Sequence, residues 1–523
     1  MTTPSTPGPA LHQLLVEACR DAPASIAVVE IGEDDEPSHR TYGELRHEAE
    51  RLAAALTSCG VGRGDRVVVD AVTSAATIAM IMACSEVGAA FVPLTPEIPD
   101  ARARQIVRLA EPHCYAHLDG CGRFDRLTDR DDPAVMAFSW NRDPVPERRR
   151  SRSAGRRSAG GGDPLAYIIF TSGSTGTPKG VAMSQRATSA FFDATRGLLR
   201  PTDRVVSTAP FHFDFCLLDI GTCLANRCAV VPMPRERIRW PRQFVAVLRA
   251  TGGTRVHAVP SIWRPLLHRE RHLLAHLPPL NAIMYSGEPF PPDDLAVLHR
   301  TLPDTRLVNC YGPTECMACS FTDVTEFADG STATPIDGAY PGSSLAIADD
   351  DGMLIDEPGR SGQLRFTGPS IFEGYWAAGG AVPPETVRRA AGGPATLLTG
   401  DYGHLGQDGR LYFDGRRDRQ VKLGGNRVEL AEIEVVLRQV PDVDDARVVV
   451  DTREEPPVLL AFVAAPVDDG DHCADVCRQI CAEKLPEYMR PAAVFCLPYL
   501  PTNSNDKVDR QLLLRHATQH DRT

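Results

Sequence analysis

The chain has 523 residues, 43% hydrophobic and 24% charged, with a formal charge of −12. That length exceeds one ordinary core and predicts at least two domains; no apolar run of about 18 residues could cross a bilayer, and the acidic balance disfavours nucleic acid, whose binding rests on neutralising phosphates. Fifteen scattered cysteines, behind an N-terminus (MTTPSTPGPA) without a charged and then apolar leader, predict reduced thiols and a cytoplasmic protein.

In chain order, residues 1–10 are rich in Pro, Thr and Ser and read as disordered, and 11–20 and 44–58 carry helical apolar spacing. Segments 66–71 and 90–94 read as buried strands with helices between them, which predicts α/β layers with parallel sheets. Residues 141–163 are basic, rich in Gly and Ser, and poor in large apolar groups, so they read as a flexible loop. The stretch 361–414 has short β-like runs (GQLRFTG, GRLYF) among glycines, as in a small sheet or barrel. From Val421 onward a helix (431–439), strands at 446–450 and 459–463, and another helix predict a compact α+β unit of about 100 residues.

The run YIIF (167–170) reads as a buried strand that feeds directly into Thr171-Ser-Gly-Ser-Thr-Gly-Thr-Pro-Lys-Gly180. Such a loop suits phosphate: Gly173 and Gly176 let backbone N–H groups approach anionic oxygens, Thr171, Ser172, Ser174, Thr175 and Thr177 add hydroxyl donors, and Lys179 adds charge. It is not a Walker-type loop, because Pro178 stands where that pattern needs Gly before Lys. Of 56 basic residues only Lys179, Lys422, Lys484 and Lys507 are lysines. In a chain so biased to arginine, lysine is expected to persist where a compact ammonium cannot be exchanged for a planar guanidinium.

YIIFTSGSTGTPKGV resembles the signature of the adenylate-forming superfamily, which includes acyl-CoA ligases, luciferases and the adenylation domains of nonribosomal peptide synthetases. The motifs Tyr311-Gly-Pro-Thr-Glu315, Thr399-Gly-Asp401, Gly415-Arg-Arg-Asp418-Arg-Gln-Val-Lys422 and Asn505-Asp-Lys507-Val-Asp-Arg510 follow in the family's order. Weaker matches at 41–45 and 88–96 extend the resemblance over nearly the whole chain. The resemblance implies an N-terminal core, residues 1–417, of layered α/β sheets plus a small β-barrel-like part, then a small mobile α+β domain, residues 418–523, hinged at Asp418.

The chemistry implied is attack of a carboxylate on the α-phosphate of ATP, then transfer of the acyl group to a thiol. Because two anions must meet, the site needs cations and oriented dipoles. By resemblance the 171–180 loop holds the β and γ phosphates, Glu315 binds Mg²⁺, Thr314 contacts the α-phosphate, and Tyr311 stacks on adenine with Gly287, Glu288 and Pro289 along the base. Asn309 and Gly312 complete the nucleotide-contacting set, Asp401 accepts the ribose hydroxyls and Arg416 lies beside them. Lys507 would bridge substrate carboxylate and ATP oxygens during adenylation, and rotation at Asp418 would bring Lys422 to the site for thiol transfer. Gly424 stands where relatives usually have arginine, a departure in the segment that grips the pantetheine arm.

His212-Phe213-Asp214-Phe215-Cys216 resembles the segment that supplies an aspartate to the substrate ammonium in amino-acid-activating members, and a buried carboxylate demands a cationic partner. Phe213 is the aromatic that would move aside for the thiol. The family's pocket positions fall on Asp214, Phe215, Leu218, Ala258, Met284, Ser286, Cys310, Ala318, Cys319 and Lys507, a mostly apolar lining with no second charge. That predicts a small or medium apolar amino acid; the strings YSGEPF and NCYGPTECMAC resemble those of freestanding enzymes that load proline or small β-amino acids onto separate carrier proteins, so the resemblance favours proline or a similar residue and leaves a β-amino acid open. Only 13 residues follow Arg510, so the acceptor is expected in trans: the phosphopantetheine of a separate peptidyl or acyl carrier protein, in nonribosomal peptide or polyketide biosynthesis. The rival expectations are an acyl- or aryl-CoA ligase of the same superfamily, or a nonenzymatic nucleotide-binding module. Cys473, Cys477 and Cys481 read as one core face of a helix, and Cys316-Met-Ala-Cys319 as a lone pair without a metal partner set.

Overall fold

A computed structural model describes residues 10–32, 34–117, 123–127, 136–139, 145–146, 163–173, 176–324, 334–377, 380–389, 394–416, 420–454, 456–465, 470–501 and 508–520. These form two compact units. The first comprises Met1–Thr95, Val107–Ile169 and Gly180–Arg417; the second comprises Pro96–Ile106, Phe170–Lys179 and Asp418–Thr523.

Three sheets build the first unit. A nine-stranded sheet has at its centre the strands Leu165–Thr171, Ala90–Leu94, Arg66–Asp70, Cys114–His117 and Met136–Ser139, in that order. From Ala90–Leu94 through Met136–Ser139 the neighbours are parallel, and both Arg66–Asp70 and Ala90–Leu94 are buried along their whole length. Such uninterrupted Val-rich runs suit strands covered on both faces. Within 141–163, read above as one loop, Val145–Pro146 adds a two-residue antiparallel edge; 141–144 and 147–162 lie outside the described residues.

The eight-stranded sheet runs Ser320–Asp323, Arg306–Tyr311, Ala282–Tyr285, Arg255–Ala258, Arg204–Ser207, Ala229–Pro232, Ile26–Ile31, Pro37–Thr41. Its interior pairs are parallel and its two edges antiparallel. Between the two large sheets lie the helices Leu11–Asp21, Tyr42–Ser58, Ala75–Val87 and Asp214–Asn226, whose buried residues share one cluster with side chains of both sheets. Ala75–Val87 is apolar on nearly every side, as a helix enclosed between layers must be. Ser74 caps its N-terminus, and Gly88 at φ 76° ends it in the left-handed region that favours glycine. Thr41 and Glu44 form a reciprocal capping box at the start of Tyr42–Ser58.

The 361–414 stretch forms most of an antiparallel five-stranded sheet, in which the long strand Ala395–Leu405 pairs with Ser361–Gly368, Val387–Arg389 and Leu411–Arg416. In the second unit, the hairpin Gln420–Leu423/Asn426–Glu429 leads into the helix Leu430–Leu437, and Asp445–Asp451, Val458–Ala464 and Ala493–Leu497 form a three-stranded sheet. The helix Gly470–Lys484 buries Cys477 and Cys481 in this unit's core, with Cys473 packed at its margin, which is the core face expected of that cysteine series. No described helix is long and apolar enough to cross a membrane.

Candidate active site

Asp214 opens the helix Asp214–Asn226 immediately after the N-cap Phe213, whose ring lies 4.5 Å from that of His212. Its Oδ1 accepts from the Phe215 amide at 3.0 Å, and the Thr314 hydroxyl donates to the same carboxylate. Burial and the nearby Glu315 carboxylate push the Asp214 pKa up to about 6 against the lowering effect of those donors. No basic side chain among the described residues pairs with it.

Thr314 and Glu315 lie on the single 3₁₀ turn Thr314–Cys316. Gly312, just before it, fits only as glycine, because a Cβ there would meet the Ala318 Cα at 2.5 Å. Glu315 is buried, accepts from the Tyr375 hydroxyl at 2.8 Å through Oε1, and its carbonyl accepts the Phe372 amide. Two carboxylates therefore face one turn with hydroxyl and amide donors around them.

At the opposite end of Tyr311-Gly-Pro-Thr-Glu315, the Tyr311 hydroxyl donates to Asp401 Oδ2 at 2.7 Å, and Arg416 donates to Asp401 Oδ1 at 2.7 Å. Both oxygens of Asp401 are thus already engaged, each with one lone pair left to accept a further donor. Burial, then the Asp401 charge, hold the Tyr311 phenol far above its ordinary pKa. Asn309 is fixed from Nδ2 by Thr334 and the Pro335 carbonyl, and Glu288 accepts the Ser261 amide at 2.6 Å. Gly287 takes φ 90°, with Pro289 two residues on.

Leu218, Met284, Cys310, Ala318 and Cys319 share one buried cluster, with Phe215 packed against it. Ser286 and Cys310 are hydrogen-bonded, and the Cys310 thiol lies in the fields of both Asp219 and Asp214. Ala258 departs from this group. In the strand Arg255–Ala258 alternate side chains face opposite sides; Ala258 packs in the second cluster with Trp263, Tyr285 and Phe290, whereas His257 stands opposite Met284 and turns toward the helix Asp214–Asn226. Ala258 therefore lies on the face of this strand away from Met284, and His257 on the face toward it.

His257 Nδ1 meets Asp219 Oδ1 at 2.6 Å, both residues are fully buried, and the His257 ring lies 6.5 Å from that of Phe215. A second carboxylate, paired internally with a histidine, thus lies near these residues, where the motif positions gave none. Tyr167 is a further residue the motifs did not single out. Its buried hydroxyl has no partner among the described residues, and burial followed by the Asp214 charge raises its pKa well above the ordinary phenol range. The Cys316 and Cys319 sulfurs are 3.3 Å apart as free thiols. A buried chain also reaches His212: Asp70 binds Tyr115 and Arg123, Arg123 holds the Thr95 carbonyl, and the Thr95 hydroxyl meets His212 Nδ1 at 3.0 Å.

In the second unit the Thr171 hydroxyl lies 3.4 Å from the Lys179 carbonyl, Ser172 Oγ donates to the Arg427 carbonyl at 2.9 Å, and the Gly173 amide donates to Glu432 at 3.2 Å. Gly176 takes φ 78° and Thr177 is exposed. Lys422 lies in the hairpin opposite Arg427. Ser174, Thr175, Asp418 and Lys507 lie outside the described residues.

The family model of AMP-binding enzymes matches residues 15–376, and that of the AMP-binding enzyme C-terminal domain matches 432–507. An L-proline–[L-prolyl-carrier protein] ligase of Pseudomonas fluorescens is 32% identical over 522 residues, covering 97% of this chain and 99% of that protein. A ligase of the same description from Streptomyces coelicolor is 33% identical, covering 90% and 91%. The crystal structure of IdnL1 superposes with a TM-score of 0.82 at 38% identity, over 95% of this chain and 100% of that one. The chain belongs to the AMP-binding enzyme family, adenylate-forming enzymes of the nonribosomal peptide synthetase type that use ATP.

Proposed function

We propose that the chain activates a small amino acid as its aminoacyl adenylate and then passes the aminoacyl group to the phosphopantetheine thiol of a separate carrier protein. In the first step a substrate carboxylate oxygen bonds to the α-phosphorus of ATP and pyrophosphate leaves; in the second a thiol sulfur loses its proton and bonds to the acyl carbon, the bond from that carbon to the bridging oxygen breaks, and AMP leaves with that oxygen. The observation that carries an amino-acid substrate is Asp214, a carboxylate beside a second carboxylate, with hydroxyl and amide partners and no basic one among the described residues. A substrate ammonium supplies the missing countercharge; a fatty or aryl acid would leave it unpaired.

A short side chain is favoured because Leu218, Met284, Cys310, Ala318 and Cys319, behind the partly exposed Asp214, Phe215 and Ser286, have almost no accessible surface. Proline is the first choice, since full-length relatives are named as L-proline–carrier protein ligases; a β-amino acid is the second, because an ammonium one carbon further from the carboxylate can also reach an aspartate here. Those relatives act on carrier proteins, which favours a carrier over coenzyme A.

The donor set suits Mg²⁺, which takes hard oxygens and is commonly held by one or two carboxylates together with substrate phosphates. Glu315 would be that carboxylate, and the ion would offset phosphate charge. Lys179 and the 171–180 loop would bind the outer phosphates, Lys507 would approach for adenylation and Lys422 for thiol transfer, with movement about Asp418 and the work done in the cytoplasm.

Amino-acid-dependent ATP–pyrophosphate exchange across proteinogenic and β-amino acids tests the proposal. Exchange with a small amino acid that disappears in Asp214→Ala is expected; exchange driven only by fatty or aryl acids overturns it.

A further inference from the structure

The loop read as a phosphate cradle is already engaged. Glu432, on the helix Leu430–Leu437, is 1% exposed and accepts the Gly173 amide at 3.2 Å through Oε2, while its Oε1 pairs with Arg102, itself 5% exposed. Ser172 Oγ donates to the Arg427 carbonyl in the preceding hairpin. Gly176 lies so near Val435 on the same helix that a Cβ would stand 2.9 Å from the valine side chain, and a Cβ on Gly173 would strike the Thr177 carbonyl at 2.0 Å. A carboxylate thus holds a backbone N–H of the kind that such a loop turns toward phosphate oxygens.

We infer that Glu432 is a positioning residue that occupies the phosphate loop as an internal anion and must release the Gly173 amide before the nucleotide triphosphate takes the loop. The inference rests on the proposed role of residues 171–180 in holding phosphate. One N–H cannot donate fully to a carboxylate and a phosphate together, so the two anions compete, and the helix Leu430–Leu437 is tied to nucleotide occupancy. Arg102 supports the latched state by neutralising Glu432 inside the fold. An intramolecular competitor lowers the apparent affinity for ATP by the fraction of molecules in which the loop is open.

The test is the KM for ATP and the KM for the amino acid, measured by pyrophosphate exchange in the full chain for wild type, Glu432→Gln and the double variant Arg102→Met/Glu432→Leu. The double variant guards against a folding defect, because it removes both buried charges rather than stranding Arg102. The expected result is a fall of at least threefold in KM for ATP in both variants, with KM for the amino acid unchanged. An unchanged or raised KM for ATP in the soluble double variant overturns the latch while leaving the phosphate role of the loop standing. Complete absence of ATP-dependent exchange in the wild type overturns the phosphate reading and the latch with it.

Discussion

Tyr311 and Asp401, 90 positions apart in the chain, are joined by a 2.7 Å hydrogen bond from phenol to carboxylate, and Arg416 holds the other carboxylate oxygen at the same distance. The fold thereby builds a preformed acceptor whose two neighbours fix its orientation from opposite sides. If Asp401 receives ribose hydroxyls, Asp401→Asn raises the KM for ATP by about tenfold or more, since a hydrogen bond to a charged group is worth about 1.5–3 kcal/mol. Tyr311→Phe removes a donor to that charged carboxylate and is expected to cost about 1.5–3 kcal/mol of stability by urea denaturation. A KM for ATP unmoved in Asp401→Asn would take the residue out of the nucleotide site.

The Asp214 shift predicts a pH dependence whose sign can be worked out. The pKa of Asp214 is pushed up to about 6 by burial and the Glu315 charge, so the carboxylate proposed to meet an ammonium is ionised above that pH and neutral below it. The kcat/KM for the amino acid should fall roughly tenfold per unit as pH drops below about 6, with kcat/KM for ATP flatter. The stability effect runs the other way. A folded pKa above the unfolded value favours the fold at pH below the unfolded pKa, and that contribution is lost as pH rises through 6. Substrate-free Asp214→Asn should therefore unfold at a higher temperature than wild type at pH 8, and the gap should close toward pH 4. A gap independent of pH would contradict the assigned shift.

What the sequence made legible follows from how each residue signals. Thr314, Glu315, Asp401 and the 171–180 loop sit in ordered motifs, and the Val-rich run Arg66–Asp70 marks its own burial. The pair His257–Asp219 had no such signal, because an acid on an apolar helix and a histidine on a strand become partners only when helix and sheet pack. The face that Ala258 takes was hidden for a related reason: alternation along a strand gives two faces, and the pairing of His257 with Met284 is needed to say which one meets the helix Asp214–Asn226. The Gly173–Glu432 contact spans 259 positions and carries no local trace.

Glu315 is the proposed Mg²⁺ residue, and its Oε1 is aligned by the Tyr375 hydroxyl. Chelation with EDTA should abolish pyrophosphate exchange and added Mg²⁺ should restore it. Glu315→Gln, which keeps the shape and removes the charge, should lower kcat by about 10²-fold or more, the scale for losing a group that stabilises transition-state charge. Tyr375→Phe should raise the Mg²⁺ concentration needed for half-maximal exchange while leaving kcat at saturating Mg²⁺ within about twofold, the range of a modest change of under about 0.5 kcal/mol. Exchange that survives EDTA would remove the metal from the mechanism.

Lys422 and Lys507 are proposed to serve different half-reactions, and separate assays can divide them. Lys422 lies in the hairpin opposite Arg427, the residue whose carbonyl accepts from Ser172, in the loop proposed to hold phosphate. Lys507→Ala should depress amino-acid-dependent pyrophosphate exchange by about 10²–10³-fold, because a cation between two approaching anions acts mainly in the transition state. Given preformed aminoacyl adenylate, the same variant should load a carrier thiol at close to the wild-type rate. Lys422→Ala should show the reverse, with exchange within about twofold of wild type and loading slowed. The readouts are radiolabelled pyrophosphate for the first step and the mass of the loaded carrier for the second. Equal losses of both steps in either variant would mean that the lysine serves the fold or the nucleotide alone, and the division of labour between them would be wrong.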